Sequence, residues 1–429
     1  MIVIHTEWRV AAAILGVAFL ILLGVANPKT FIESVSWNLI LFLVGSMTFA
    51  GILRELGVFR YVAIQILRLS KFNIYILIAL ISLLSFVLAA VVDEVTSIVY
   101  IVMLVFELRR ILKISVTPLL VLTVLATNTG STALPIGNPI GVYILFTSGM
   151  PVSMFIRYSL PLALLNLVIL FLLFNTVGRG YLRECQTALS SYKKSVEAYI
   201  SSYYTEVYNA KARRVFIGLV LLIAFVIMVS LNDLIVYALS KILGSEMDPH
   251  AFLTFIPYIY VVLSMITAIP PEEVATMVRR AVEWSSIVFF IMLFMLGHSL
   301  IYTGAMIKLA YIFSTISTAS IALLAITLIS SAMLSSILDN LSVIVAFTPI
   351  ATVFNSIGVT NQLIYFALLF GGVFGGNYTP IGSTANIVAI SLAEKRKISI
   401  PWRVWLSIAL PITTVQIAVS LLWIYIANL

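Results

Sequence analysis

The sequence predicts an all-α polytopic membrane protein made of two inverted-topology repeats, each with a re-entrant hairpin and a broken transmembrane helix. Three observations predict it. Of 429 residues, 62% are hydrophobic and 10% charged, with a mean hydropathy of +1.14. Soluble domains carry roughly a quarter charged residues, so this apolar surface needs lipid. The apolar residues also fall in runs of about 20, the length of a spanning helix, not in the alternating segments of about 10 that build a barrel. The third observation is a long-range internal repeat. The same composition excludes disorder, collagen-like repeats and a disulfide scaffold, because Cys185 is the one cysteine.

The runs, in order, are Val10–Ala26, Trp37–Leu53, Phe72–Val92, Val95–Leu108, Val116–Met150 (interrupted), Tyr158–Val177, Val215–Leu243, Ala251–Ile269, Trp284–Tyr302, Ser320–Leu338, Leu341–Phe354, Gln362–Leu392 (interrupted) and Val404–Ala427. Residues 1–34 read as a retained anchor helix, since no small-residue cleavage pattern follows the first run. Repeat 1 covers 35–178, with its hairpin at 72–112 and its broken helix at 116–150. Linking helices fill 215–281, and repeat 2 covers 282–429, with its hairpin at 318–357 and broken helix at 361–392. The hydrophilic stretch Gly178–Arg214 reads either as an amphipathic helix on the membrane surface or as a plain cytoplasmic connector over 179–214.

The net charge of +8 lies between apolar runs, so it is an orientation signal, not a nucleic-acid surface. With both hairpins entering and leaving on one side, 21 of the Lys and Arg residues share a face. Lys29, Arg157, Lys241 and Lys308 are the 4 on the other. The positive-inside rule then predicts a multi-pass plasma-membrane protein with its amino terminus cytoplasmic and its carboxyl terminus outside.

Val35–Ala63 aligns without gaps on Val282–Ala310, pairing Trp37 with Trp284, Phe42 with Phe289 and Gly57 with Gly304, with 7 of 29 positions identical. The register persists: Asp93 pairs with Asp339, Pro135-Ile136-Gly137 with Pro380-Ile381-Gly382, and Pro151…Pro161 with Pro401…Pro411. An odd number of spans separates the copies, which makes them inverted. Such repeats are a secondary-transporter architecture with the substrate site where the repeats meet near the midplane.

Each copy holds two segments with chemistry. The polar tips are Val92-Asp93-Glu94-Val95-Thr96 and Leu338-Asp339-Asn340-Leu341-Ser342. A carboxylate at bilayer depth costs roughly 2.5–3.5 kcal/mol on insertion scales, so matched acids suggest a bound cation or proton. If both hairpin arms span fully, the acids sit instead in surface loops. The second segment is a Gly/Pro break, Thr127–Pro139 in one copy and Gly375–Asn386 in the other. It frees backbone groups that lipid tolerates only inside protein or along a cavity. Half-helix N-termini suit an anion, while freed carbonyls and Asn, Ser or Thr oxygens suit a cation. Outside these segments, His298 reads as a helix-bonded histidine, and Glu55, Glu107 and Asp233 as surface or interfacial charges. No P-loop, HExxH, Cys/His cluster or GxSxG elbow appears, so neither ATP-driven pumping nor an enzyme is expected.

These motifs carry a resemblance. A polar tip around Asp93, followed by Asn128-Thr129-Gly130 and Pro135-Ile136-Gly137-Asn138-Pro139, resembles the ion-transporter superfamily. That group includes ArsB-type arsenite permeases, NhaD-type sodium–proton antiporters, the melanosomal P protein, and citrate and dicarboxylate carriers. The similarity runs from Trp37 to Pro161 and from Trp284 to Pro411. It implies an elevator-type carrier whose tips and unwound helices bind substrate and coupling ions. Carried over by motif, the site residues are Asp93, Glu94, Thr96, Asn128, Thr129, Ser131, Thr132, Asn138, Asp339, Asn340, Ser342, Asn377, Thr379, Ser383, Thr384 and Asn386. A coupling Na⁺ would sit near Asp93, Asn128, Asp339 and Asn377. Asp339-Asn340 matches the Asp-Asn tip of the NhaD and P-protein branches, whereas the first tip has Glu94. Asn138 stands where the P-protein form has Asp, and neither tip reads Ser-Asn-Thr as in dicarboxylate carriers.

The expectation is therefore a secondary transporter of a small anion or metalloid, such as arsenite or an organic anion, coupled to H⁺ or Na⁺. A sodium–proton antiporter is the alternative and an ion channel a further one. No cofactor is expected. The partners are the bilayer and a small ion, with room for a homodimer and none for nucleic acid or an ATPase subunit.

Overall fold

The computed structural model describes the whole chain except residues 1–8, 26–27, 93, 113, 204–208, 269–271, 273–275, 277–278, 283, 305–307, 309–310, 313–314, 316–318 and 429. Among the described residues all regular structure is helical. In order the helices are α1 (Arg9–Leu22), α2 (Pro28–Glu33), α3 (Trp37–Glu55), α4 (Val58–Leu69), α5 (Ile74–Val91), α6 (Glu94–Leu112), α7 (Thr117–Ser131), α8 (Pro139–Ser148) and α9 (Val152–Val177). They continue with α10 (Arg179–Ser191), α11 (Lys193–Tyr203), α12 (Asn209–Ser230), α13 (Asn232–Leu243), α14 (Pro249–Thr267) and α15 (Trp284–Tyr302). The last five are α16 (Ser320–Ser335), α17 (Asn340–Ser356), α18 (Leu363–Gly375), α19 (Thr384–Lys395) and α20 (Trp402–Ala427). Among the described residues six stretches are long and apolar enough to cross a membrane: α3, α5, α9, Ala212–Ser230 within α12, α14 and α20. The protein is a polytopic helical membrane protein.

Two packed groups divide the helices. In one, α14 packs along α3 and against α12, and α1 packs against α15. Gly45 of α3 lets the chain approach Pro257 and Tyr258 of α14, and the Tyr258 hydroxyl donates to the Leu41 carbonyl at 2.7 Å. The other group pairs α5 with α7 and α16 with α18, and joins α9 to α20.

The pairings within the second group recur along the chain. Phe86 of α5 meets Gly130 of α7, and Ala332 of α16 meets Gly375 of α18. At both glycines an added methyl would overlap the facing carbonyl oxygen. Only a residue without Cβ lets these backbones touch, and close approach through small residues is how helices pack without a hydrophobic drive between them.

The broken helices are shorter breaks than the sequence suggests. α7 runs on to Ser131, and a 3-10 turn, Pro135–Gly137, precedes α8. In the second copy a 3-10 turn, Gly376–Tyr378, follows α18, and helix resumes at Thr384. Asn128, Thr129 and Ser131 are thus helical rather than unwound, as are Thr384 and Asn386. The hydroxyls explain the first copy: Thr129 donates to the Leu125 carbonyl at 2.7 Å and Ser131 to that of Asn128 at 3.0 Å, so both are satisfied inside the helix.

The stretch after α9 is helical and docked, not a plain connector. Leu182, Cys185 and Leu189 of α10 are buried. Gln186 clamps the start of α5, accepting from Ile74 N–H at 2.8 Å and donating to the Phe72 carbonyl at 3.2 Å. Asn73 caps α5, accepting from the N–H groups of Tyr75 and Ile76. Asp233, read as interfacial, receives the Ser153 N–H at the start of α9 at 3.0 Å.

Candidate functional site

The two packed groups meet at a narrow cleft. It holds about 670 Å³ of space between atoms, of which about 40 Å³ is open to the centre of a water molecule. That is room for about three waters. One wall is Phe42, Ser46 and Met47 of α3 with Phe289 and Phe290 of α15. The other mixes apolar residues such as Val95, Ile136 and Leu341 with polar ones from four helix starts: Glu94 on α6, Asn138 beside Pro139 at α8, Asp339 and Asn340 at α17, and Thr384 on α19.

Three of the starts have a local cause. Asn138, in extended backbone, caps α8 by accepting from the Gly141 N–H at 2.6 Å, and Pro139 supplies the preset φ of a first helical residue. Ser383 does the same for α19, accepting from the Ala385 N–H at 3.2 Å. Asp339 caps α17, accepting from the Ser342 N–H at 3.3 Å and the Ser342 hydroxyl at 3.4 Å. Its other oxygen accepts from Thr384 at 3.2 Å, which ties the second tip to the second break. Glu94, 3% exposed, lies 3.3 Å from the Ser131 hydroxyl as the alternative acceptor to the Asn128 carbonyl for its one proton, and Asn138 donates to Ser131 at 3.0 Å, which ties the first tip to the first break. Two cleft-lining groups make no hydrogen bond, Asn340 Nδ2 and Ser46 Oγ.

A buried amide cluster lies behind this surface and joins the copies. Asn128 Nδ2 donates to Oδ1 of Asn377 at 2.6 Å and of Asn386 at 2.9 Å, and Ser383 donates to Asn128 Oδ1 at 3.3 Å. Asn386 Nδ2 donates to the carbonyls of Gly376 and Thr379, both at 2.9 Å, satisfying groups freed by the break. Thr379 donates to the Ser336 carbonyl, and Thr132 to that of Thr129 at 2.8 Å. Gln416 of α20 donates to Thr129 at 3.0 Å, and Trp405 to the Asn377 carbonyl at 3.0 Å.

Of the residues expected from sequence, Glu94, Asn138, Asp339, Asn340 and Thr384 line the cleft. Asn128, Ser131, Asn377, Ser383 and Asn386 form the layer behind it, Thr129, Thr132 and Thr379 brace that layer, and Ser342 bonds Asp339 at the cleft. Asp93 lies outside the described residues, as does the side chain of Thr96. Sequence reasoning missed Ser46, Met47, Gln416 and Trp405. A signal for Gln416 existed: it follows Pro411 by the same interval at which Asn166 follows Pro161, each an amide in an apolar run.

Several known proteins are similar to this chain along most of its length. A 46 kDa membrane protein of Mycobacterium leprae is 24% identical over 98% of this chain and 94% of its own length. An uncharacterized transporter of Mycobacterium tuberculosis is 24% identical over 97% of this chain and 93% of its own. The human P protein is 23% identical over all of this chain and 58% of its own length. The family model described as citrate transporter matches residues 1–371, which takes in both tips, the first break and every cleft-lining residue except Thr384. The chain belongs to this citrate transporter family, and is a membrane transporter of the wider ion-transporter superfamily.

Proposed function

We propose that this protein is a secondary active transporter of a small anion, an organic carboxylate of the citrate type or a metalloid such as arsenite, coupled to H⁺ or Na⁺ by alternating access. The observation that carries it is the meeting of four helix starts at one cleft. Each start carries roughly half a positive charge and unpaired N–H groups. Unbonded Asn340 Nδ2 adds a further donor, while Glu94 and Asp339 offer seats for a proton or cation. The matched packing of α5–α7 and α16–α18 supports two inverted repeats, with the amino terminus cytoplasmic by charge placement. In an elevator cycle the hairpins, broken helices, α9 and α20 would move as a body against α3, α14 and α15. The cleft has room for waters or a bare ion, so a tricarboxylate requires it to widen.

The test is uptake of radiolabelled citrate into proteoliposomes under an imposed H⁺ or Na⁺ gradient, with arsenite in a parallel arm. Uptake that needs the gradient and is lost in Asp339→Asn supports the reading; absence of anion uptake from correctly inserted protein ends it. A second reading, Na⁺/H⁺ exchange with no anion, draws on the buried carboxylate of Glu94. Lumenal alkalinisation after an external Na⁺ jump, with citrate absent, would select it.

A further inference from the structure

α6 and α19 both begin at the cleft, pack against each other and end together. At about 1.5 Å per residue, Arg109 and Arg396 lie roughly 20 Å from those starts. Between them opens a second cleft, wider than the first, with about 750 Å³ open to the centre of a water molecule. Phe106, Ser115 and Thr117 line it with the two arginines. The floor is the start of α7, whose N-cap is Val116 and supplies no side-chain acceptor, so the N–H groups of Thr117 and Leu119, on either side of Pro118, which has none, are uncapped.

The arginines are arranged for a ligand. The Arg396 guanidinium lies over the Phe106 ring, 4.5 Å from its centroid, and donates to Met103 Sδ at 3.5 Å. Stacking holds the planar fork against α6 and leaves its remaining N–H groups available. Among the described residues neither Arg109 nor Arg396 is in an ion pair, although exposed Glu394 is only two residues from Arg396. Offsetting the C-terminal dipoles of α6 and α19 would account for two arginines there. It does not account for an open cleft over the uncapped start of a third helix.

We infer that this second cleft binds an oxyanion of the phosphate class, bridged by Arg109 and Arg396, with Ser115, Thr117 and the first N–H groups of α7 as further donors. Arginine forks match tetrahedral oxyanions in bidentate fashion. The group could be a phospholipid headgroup or a soluble phosphate, because basic pockets at helix ends take both. Since α6 belongs to the first hairpin and α19 to the second broken helix, the bound oxyanion ties the two repeats together at this face.

The full-length protein in an uncharged detergent tests this. It is titrated with inorganic phosphate and, separately, with short-chain phosphatidylglycerol, and bound mass is read by native mass spectrometry. One probe is expected to bind saturably. The Arg109→Gln/Arg396→Gln double variant should weaken it by about tenfold or more, the loss expected for charge-assisted hydrogen bonds, while Lys241→Gln, at an exposed lysine that lines neither cleft, leaves it unchanged. Phosphatidylglycerol binding alone assigns a lipid; phosphate binding assigns a soluble anion. Arg109→Gln by itself, which disturbs no ring stacking, carries the same test with a smaller loss. Binding of neither probe, or equal binding by the arginine variants, overturns the inference.

Discussion

Asn128 Nδ2 sits 2.6 Å from Asn377 Oδ1, a hydrogen bond between residues 249 positions apart and both fully buried. It is the shortest of the bonds that stitch the first break to the second. An amide in a dry core is worth little when paired and costs a good deal when orphaned. Asn128→Leu should therefore destabilise the protein by about 1–3 kcal/mol, by stranding Asn377 Oδ1 and the Ser383 hydroxyl. Thermal melting of purified protein measures it, and an unchanged melting temperature would remove the amide cluster from the account.

Asp339→Asn separates charge from structure. Asparagine caps helices as well as aspartate does, so α17 should keep its start and melting should shift by no more than a few tenths of a kcal/mol. Gradient-driven transport should nevertheless fall to background, because the neutral amide holds neither a proton nor a cation. Asp93→Asn carries the same expectation from the sequence repeat. Wild-type coupled uptake by both variants in proteoliposomes would dismiss the tips as the coupling site.

Gly130→Ala and Gly375→Ala should each cost about 1–3 kcal/mol by overpacking, since the new methyl meets the Phe86 or Ala332 backbone rather than a movable side chain. Gly180→Ala is the control, because its Cβ would meet nothing within 4 Å. Equal melting temperatures for Gly375→Ala and Gly180→Ala would mean the α16–α18 approach is looser than described.

The proposed inverted topology is open to thiol labelling. Cysteines replacing Lys71 and Lys113 should react with an impermeant maleimide only from the cytoplasm, and one replacing Lys308 only from outside. The native chain supplies a quiet background: Cys185 is buried, and burial pushes its thiol up to about 11, so little thiolate exists at pH 7. Labelling of Lys308→Cys from the cytoplasm would break the repeat argument.

Much of this molecule was legible in its residues. The helical membrane class followed from composition, and the Pro-Ile-Gly triplets marked both breaks within a few positions, because glycine and proline act locally. The end of α7 was misplaced for an equally physical reason: Thr129 and Ser131 turn their hydroxyls back on the helix, which no spacing rule reveals. The cleft walls escaped for a different one. Ser46 and Met47 look like ordinary residues of an apolar run, and only tertiary packing turns them toward Asp339 and Glu94. Gln416 and Trp405 likewise reach the breaks from a helix that follows them in the chain.

The four helix starts at the first cleft carry a last consequence, which concerns electroneutrality. Together they amount to about two positive charges, and Glu94 and Asp339, if both carry their charge, supply two negative ones at the cleft. An empty cleft of that kind is close to neutral, so an anion entering alone would leave net charge in a low-dielectric space. Protonating a carboxylate, or admitting one cation per negative charge carried, restores the balance. Stoichiometry would then follow the valence of the cargo, and the coupling would be a condition of entry imposed by the empty site.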